Sequence, residues 1–154
     1  MECTDVTVDT EAWLDSFRGA TRAVKLVAKE ASDSAPLLGS LGLEELPATD
    51  KQPRPRPLLS ALIVPPKHRR RGIATRLVSA AEAQASAWGH DELELYVQAT
   101  DAAAVGLYDA LGFRDAETGE RVVVSSDDAG GGVFAWARAL ASGGGRIVCL
   151  RKRL

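Results

Sequence analysis

Three arginines and a glycine, Arg69-Arg70-Arg71-Gly72, followed by Ile73-Ala74, lie between two segments of different character. Upstream, the apolar run Leu58 to Val64 reads as a buried strand. Pro65-Pro66 ends it, because neither proline can donate to a ladder. Downstream, Thr75 to Trp88 reads as a helix, with Ile73, Leu77, Ala81, Ala85 and Trp88 on one stripe and Gly89 as its stop. A short basic, glycine-containing loop between a strand and a helix is a place to hold an anionic phosphate. The first N–H groups of a helix lack intrahelical partners, and the helix dipole puts partial positive charge there. Gly72 leaves room for close approach, and the arginines add charge. Taken alone, the loop says only that it binds phosphate; a solvated basic loop or a nucleic-acid patch has the same composition.

The rest of the chain narrows the choice. Its 154 residues predict one domain, 1–154, large enough for a single good core. The net charge of −2 gives no global attraction to nucleic acid or to an anionic membrane, although basic residues cluster at Lys67 to Arg71 and at Arg151 to Arg153. Cys3 and Cys149 make neither a disulfide framework nor a zinc site, and His68 and His90 have no metal-ligand spacing. Both histidines are expected to face solvent. No apolar run reaches the ~18 residues of a membrane span. No signal-peptide pattern is present, so the chain as written reads as cytoplasmic; a plastid location would require a transit peptide lost from a truncated start.

Residues 1–8 show no clear element. Asp9 or Thr10 can cap a short helix from Glu11 to about Gly19. Ala23 to Glu30 alternates like a half-buried strand, broken at Val27, and Leu37 to Glu45 reads as a second strand, making 23–45 a hairpin. Pro47 to Pro57 is a polar loop. After the helix, Leu93 to Val97 is a short strand. Asp101 can cap a second helix, Ala102 to Leu111, with Ala104, Leu107, Tyr108 and Leu111 on its stripe. Gly112 ends that helix, and a strand is expected from Phe113 to about Val124. Asp127 to Gly145 is Gly-rich and irregular, with a helical turn around Val133 to Leu140. Arg146 to Arg151 closes the chain as a strand. Strands interleaved with two clear helices predict an α/β or α+β sandwich.

Two segments carry a resemblance. Arg69-Arg70-Arg71-Gly72-Ile73-Ala74, preceded by Val64-x-Pro66, matches [Q/R]-x-x-G-x-[G/A]. Asp101-Ala102-Ala103-Ala104-Val105-Gly106-Leu107-Tyr108-Asp109-Ala110-Leu111-Gly112-Phe113 matches N-x-x-A-x-x-L-Y-x-x-x-G-F. In this order and separation the core from Leu58 to Phe113 resembles the GNAT superfamily of acyl-CoA-dependent N-acetyltransferases. Arg54 to Ser60 and the terminal Leu150 to Leu154 are also similar to GNAT proteins of algal and plant plastids. The resemblance implies a mixed, mostly antiparallel twisted sheet with helices on both faces. Only about 20 residues precede the hairpin, so the first strand and most of one helix are expected to be short or missing.

The resemblance also implies a site. Arg69, Arg70, Arg71, Gly72, Ile73, Ala74 and Thr75 would hold the pyrophosphate of acetyl-CoA, mainly through main-chain N–H groups. Leu62, Ile63 and Val64 would offer backbone groups to the pantetheine arm, in a slot where their strand splays from the next. Asp101 stands where the family has Asn and would contact the cofactor or serve purely as a helix cap. Tyr108 takes the family's general-acid position, and a phenol of pKa ~10 can donate to a departing thiolate at neutral pH. The alternative for Tyr108 is packing alone. For the base, Glu94, Glu44 and Glu45 are candidates, each also readable as an ordinary surface charge. Cys149 reads as a buried, inert thiol. The implied reaction moves an acetyl group from acetyl-CoA to a primary amine, a protein N-terminus or lysine being favoured, with no metal. The alternative is a GNAT-fold module that binds CoA or a partner without turnover.

Overall fold

The computed structural model describes residues 6–12, 20–31, 35–122 and 146–154. Its contacts divide the chain into two units, one running to Leu93 and including Leu154, the other Glu94–Arg153.

The first unit is an antiparallel meander with a helix laid on it. β1 (Val6–Ala12), β2 (Arg22–Glu30), β3 (Leu37–Leu46) and β4 (Arg56–Ile63) pair in sequence order, each antiparallel to the one before. The expected hairpin is β2–β3. Leu26, Val27 and Ala28 are all buried. Both faces of β2 are therefore covered, and a strand covered on both faces needs no alternation. β1 corrects the sequence reading. Asp9 and Thr10 do not cap a helix; Val6 to Ala12 runs in register with Val24 to Glu30. Pairing with a neighbouring strand overrides a weak local helix preference. The first strand is present, and the rest of the expected helix, 13–19, lies outside the described residues.

α1 (Ile73–Ala87) packs on all four of these strands. Ile73, Leu77, Ala81 and Ala85 are buried as their spacing predicts, and Val78 widens the stripe. Its approach is closest at Gly39 of β3. A Cβ there would lie 3.0 Å from the Ile63 carbonyl oxygen and 3.2 Å from both Ile73 Cγ2 and Leu77 Cδ1. A residue without a side chain lets the end of β4 and the first turn of α1 meet over one point of β3. β4 itself is less buried than expected. Leu59 is covered, but Ala61 and Ile63, which simple alternation would place on the same face, are exposed; the register shifts by one residue between Ser60 and Ile63, which turns the end of the strand over.

The second unit comprises most of β5 (Glu92–Gln98), then α2 (Ala102–Ala110), β6 (Arg114–Asp115) and β7 (Ile147–Arg153). β7 lies between the other two strands. It runs antiparallel to β6, with Arg114 opposite Arg151. It also runs antiparallel to β5, since Ala99 N–H donates to the Arg146 carbonyl while Arg151 reaches Glu94. The strand expected from Phe113 to about Val124 stops at Asp115. There the carboxylate accepts from the Glu117 and Thr118 N–H groups, and Gly119 N–H returns to the Asp115 carbonyl. An aspartate bonding its own downstream backbone makes a turn. Residues 123–124, the Gly-rich stretch 127–145 and its expected helical turn lie outside the described residues. On α2 the buried residue is Val105; Ala104, Leu107, Tyr108 and Leu111 are only half-buried. Among the described residues no helix is long and apolar enough to cross a membrane.

Gly39→Ala should lower stability by roughly 1–3 kcal/mol, the range for overpacking a filled core. The entropic gain from removing a glycine offsets less than half of the upper figure. Urea unfolding measures the difference, and an unchanged midpoint would show that α1 has room to move.

Candidate functional site

The loop from Val64 to Gly72 joins a strand that loses register to a helix that starts without a side-chain cap. Ser40 pairs with Ile63 and Gly42 with Ser60, so Ala61 and Leu62 together oppose Leu41. This is a β-bulge, and Ala61 sits in it at φ 50°. A bulge leaves backbone groups of the bulged strand out of the ladder. After Ile63 the chain makes a 3₁₀ turn, Pro66–His68. Arg70 (φ 61°) and Gly72 (φ 73°) then turn it through left-handed conformations into α1. The first helical bond closes from Arg76 N–H to the Gly72 carbonyl at 3.1 Å. The N–H groups of Ile73, Ala74 and Thr75 precede it and have no intrahelical partner. Among the described residues no side chain caps them, and the first turn contains no acidic residue. Among the described residues, a Cβ at Gly72 would meet nothing within 4 Å. An anion fits what is left: free donors, an unopposed dipole and arginines nearby.

The side chains of the loop divide. Ile73 is 1% exposed and belongs to the core, so only its backbone faces a ligand. Arg69 Nε donates to the Val64 carbonyl at 3.1 Å, which occupies one of the groups expected to face pantetheine. Ile63 is 40% exposed, while Leu62 and Val64 are half-buried. Arg71 lies against Glu30, and Arg76 reaches the Val6 carbonyl at 2.9 Å. Neither tie, nor the bulge, has a signal in the local sequence, because each depends on residues distant along the chain.

The second motif has a physical basis in its spacing. Asp101 Oδ1 accepts from Ala104 N–H at 3.0 Å, capping α2. At the other end Gly112 (φ 91°) sends its N–H to the Asp109 carbonyl, and Phe113 N–H goes to the Tyr108 carbonyl. This is the Schellman arrangement, which brings the residue after the glycine onto the helix residue five before it. Here that pair is Phe113 and Tyr108, with rings edge-to-face at 5.7 Å. Burial, and then the negative charge of Asp101, push the Tyr108 phenol up to about 12. Tyr108 is therefore a neutral hydrogen-bond donor across the physiological range.

The candidate bases are not surface charges. Glu44, Glu45 and Glu94 are all buried. Glu94 accepts from Arg151 Nε and Nη2 at 3.0 and 2.8 Å. Glu45 accepts from Thr21 Oγ1 at 2.7 Å, lies 2.6 Å from His90 Nε2, and has Arg22 Nε at 3.6 Å. His90 is thus not solvent-facing. A second Schellman turn, through Gly89 (φ 93°) with His90 N–H on the Ala85 carbonyl, delivers it to Glu45. His68 is half-buried and its Nε2 has no partner among the described residues. Cys149 is half-buried rather than buried, and Cys3 lies outside the described residues.

Residues 3–113 match the family model described as acetyltransferase (GNAT) family. No curated protein matches the sequence. Several solved structures share the fold. One is the NatC complex bound to Gag peptide and CoA, with 21% identity over 84% of this chain and 70% of that one, at TM-score 0.59. Nourseothricin acetyltransferase has 20% identity over 85% and 65%, at 0.58. PaiA N-acetyltransferase from Thermoplasma acidophilum in complex with coenzyme A has 19% identity over 86% and 61%, at 0.55. The chain thus spans between about three fifths and seven tenths of the length of these structures.

Glu45 supplies a test of the buried charge cluster. Burial raises its pKa, but the hydrogen bonds from Thr21 and His90 and the charges of Arg22 and His90 outweigh that and hold it below its ordinary value. Its contribution to stability is full above the unfolded carboxylate pKa, ~4.3, and is lost as pH falls through the lower folded value. Glu45→Gln should be less stable than the parent at pH 7 by about 1–3 kcal/mol. The gap should close as pH falls below about 4, and unfolding curves at pH 7, 5 and 3.5 would show it. A gap independent of pH would contradict the assignment.

Proposed function

The chain belongs to the acetyltransferase (GNAT) family, whose members draw on acetyl-CoA, and from that premise we propose that it transfers an acetyl group from acetyl-CoA to a primary amine. The favoured acceptor is a protein N-terminus or a lysine side chain. The observation that carries the proposal is the uncapped, acid-free start of α1 behind a left-handed glycine, at the end of a bulged strand. It supports placing the pyrophosphate on the N–H groups between Arg71 and Thr75, and pantetheine along Leu62 to Val64. This reading makes residues 1–154 one acetyltransferase domain.

In the proposed reaction the unprotonated amine attacks the thioester carbonyl. A C–N bond forms, the C–S bond breaks, and the nitrogen's extra proton must leave as the sulfur gains one. Tyr108 is assigned to the sulfur. A phenol pushed up to about 12 is a poor full proton donor to a thiolate, whose ordinary thiol pKa is ~8.5. Its role is a hydrogen bond that strengthens as charge develops, with the amine's proton completing the transfer. Asp101 is assigned to capping, since its Oδ1 already serves Ala104 N–H. Neither Glu45 nor Glu94 is assigned as base, because each is held in an ion pair.

Tyr108→Phe keeps the ring against Phe113 and removes only the hydroxyl. Turnover should fall about 10²–10³-fold while CoA affinity changes less than about twofold. Steady-state kinetics with a separate CoA titration decides it. Turnover within twofold of the parent would show that Tyr108 is structural. An inactive parent that still binds CoA would favour a binding module without turnover.

A further inference from the structure

One arginine of the loop is already engaged by an anion. Arg71 Nη2 lies 3.2 Å from Oε1 of Glu30, at the far end of β2. The two residues are 41 positions apart and meet because α1 packs on β2 as well as on β3. Arg69 differs, being tied to a neutral carbonyl. The Arg71–Glu30 contact is a single N–H···O bond, and each side chain is about one third exposed, 35% and 38%. A part-exposed pair with one bond is weakly held and easily exchanged. A phosphate offers the guanidinium several charged oxygens in the fork geometry it prefers.

We infer that Glu30 is a resident counter-ion that surrenders Arg71 to the phosphates of CoA on binding and reclaims it on release. The inference rests on the acetyl-CoA reading above and adds a residue to it. Glu30 touches no reacting atom; it acts through Arg71. Its effect has a definite sign. With no ligand present, Glu30 neutralises Arg71, so binding must first break that contact. That competition for Arg71 weakens affinity, and recapture of Arg71 by Glu30 speeds departure. The device holds CoA loosely enough to leave after each transfer, although the main-chain donors of α1 would hold it longer.

The test is calorimetric titration of CoA into the full chain, with stopped-flow measurement of CoA dissociation, at about 0.05 and 0.5 M salt. At low salt Glu30→Gln should bind CoA about fivefold more tightly, mostly through slower dissociation. The difference should shrink toward unity at high salt. In an Arg71→Met background the same substitution should change affinity less than twofold. Unchanged or weaker binding by Glu30→Gln overturns the inference while leaving the cofactor reading intact. Equal tightening with and without Arg71 overturns it too, because that is plain repulsion between Glu30 and the ligand. Failure of the parent and the variants alike to bind CoA overturns the cofactor reading, and this inference with it.

Discussion

The contact at Gly39 fixes where α1 begins on the sheet. The end of β4 and the first turn of α1 converge on β3 with no room for a methyl group between them. Ile73 and Leu77 are buried at that contact, which sets the direction in which the unpartnered N–H groups of the first turn point. The loop from Val64 to Gly72 must then span two fixed points. It does so with a 3₁₀ turn and two left-handed residues, one of them an arginine, which leaves backbone donors facing outward. Packing geometry and anion chemistry are one constraint here.

The ends of both helices use a common device. Gly89 and Gly112 each adopt a left-handed conformation, and each turn carries the following residue back onto the helix. After α1 that residue is His90, placed against Glu45 in a buried polar cluster. After α2 it is Phe113, placed against Tyr108. The Tyr-x-x-x-Gly-Phe spacing is thus the stereochemistry of a helix stop as well as a family signature. It accounts for why the phenol has a fixed ring position before any ligand is considered.

Much of this was legible in the chain, for identifiable reasons. The stripe of α1, the Asp101 cap, the hairpin and the last strand all rest on local periodicity or on capping chemistry. The strand–loop–helix placement of Arg69 to Ala74 was readable because proline and glycine punctuate both sides of the loop. What local reading missed depends on distant partners. Val6 to Ala12 is a strand because β2 pairs with it, although Asp9 or Thr10 suggested the cap of a helix starting at Glu11. Glu44, Glu45 and Glu94 look like surface charges in sequence, but they are buried, and Arg22, His90 and Arg151 answer two of them from far along the chain. His90 sits one residue beyond a glycine stop, where only the turn's geometry shows which way it is delivered. The bulge at Ala61 needs the register of two strands to be seen at all.

The central claim is that this fold carries out acetyl transfer to an amine. The most direct measurement is mass spectrometry of products after incubating the purified chain with acetyl-CoA and, in parallel, a peptide library bearing free N-termini and lysines and a set of polyamines and small amines. The account predicts peptides carrying one added acetyl group on an amine, with CoA released in equal amount. CoA bound by the protein, with acetyl-CoA recovered intact and every peptide, polyamine and small amine tested unmodified, would contradict it.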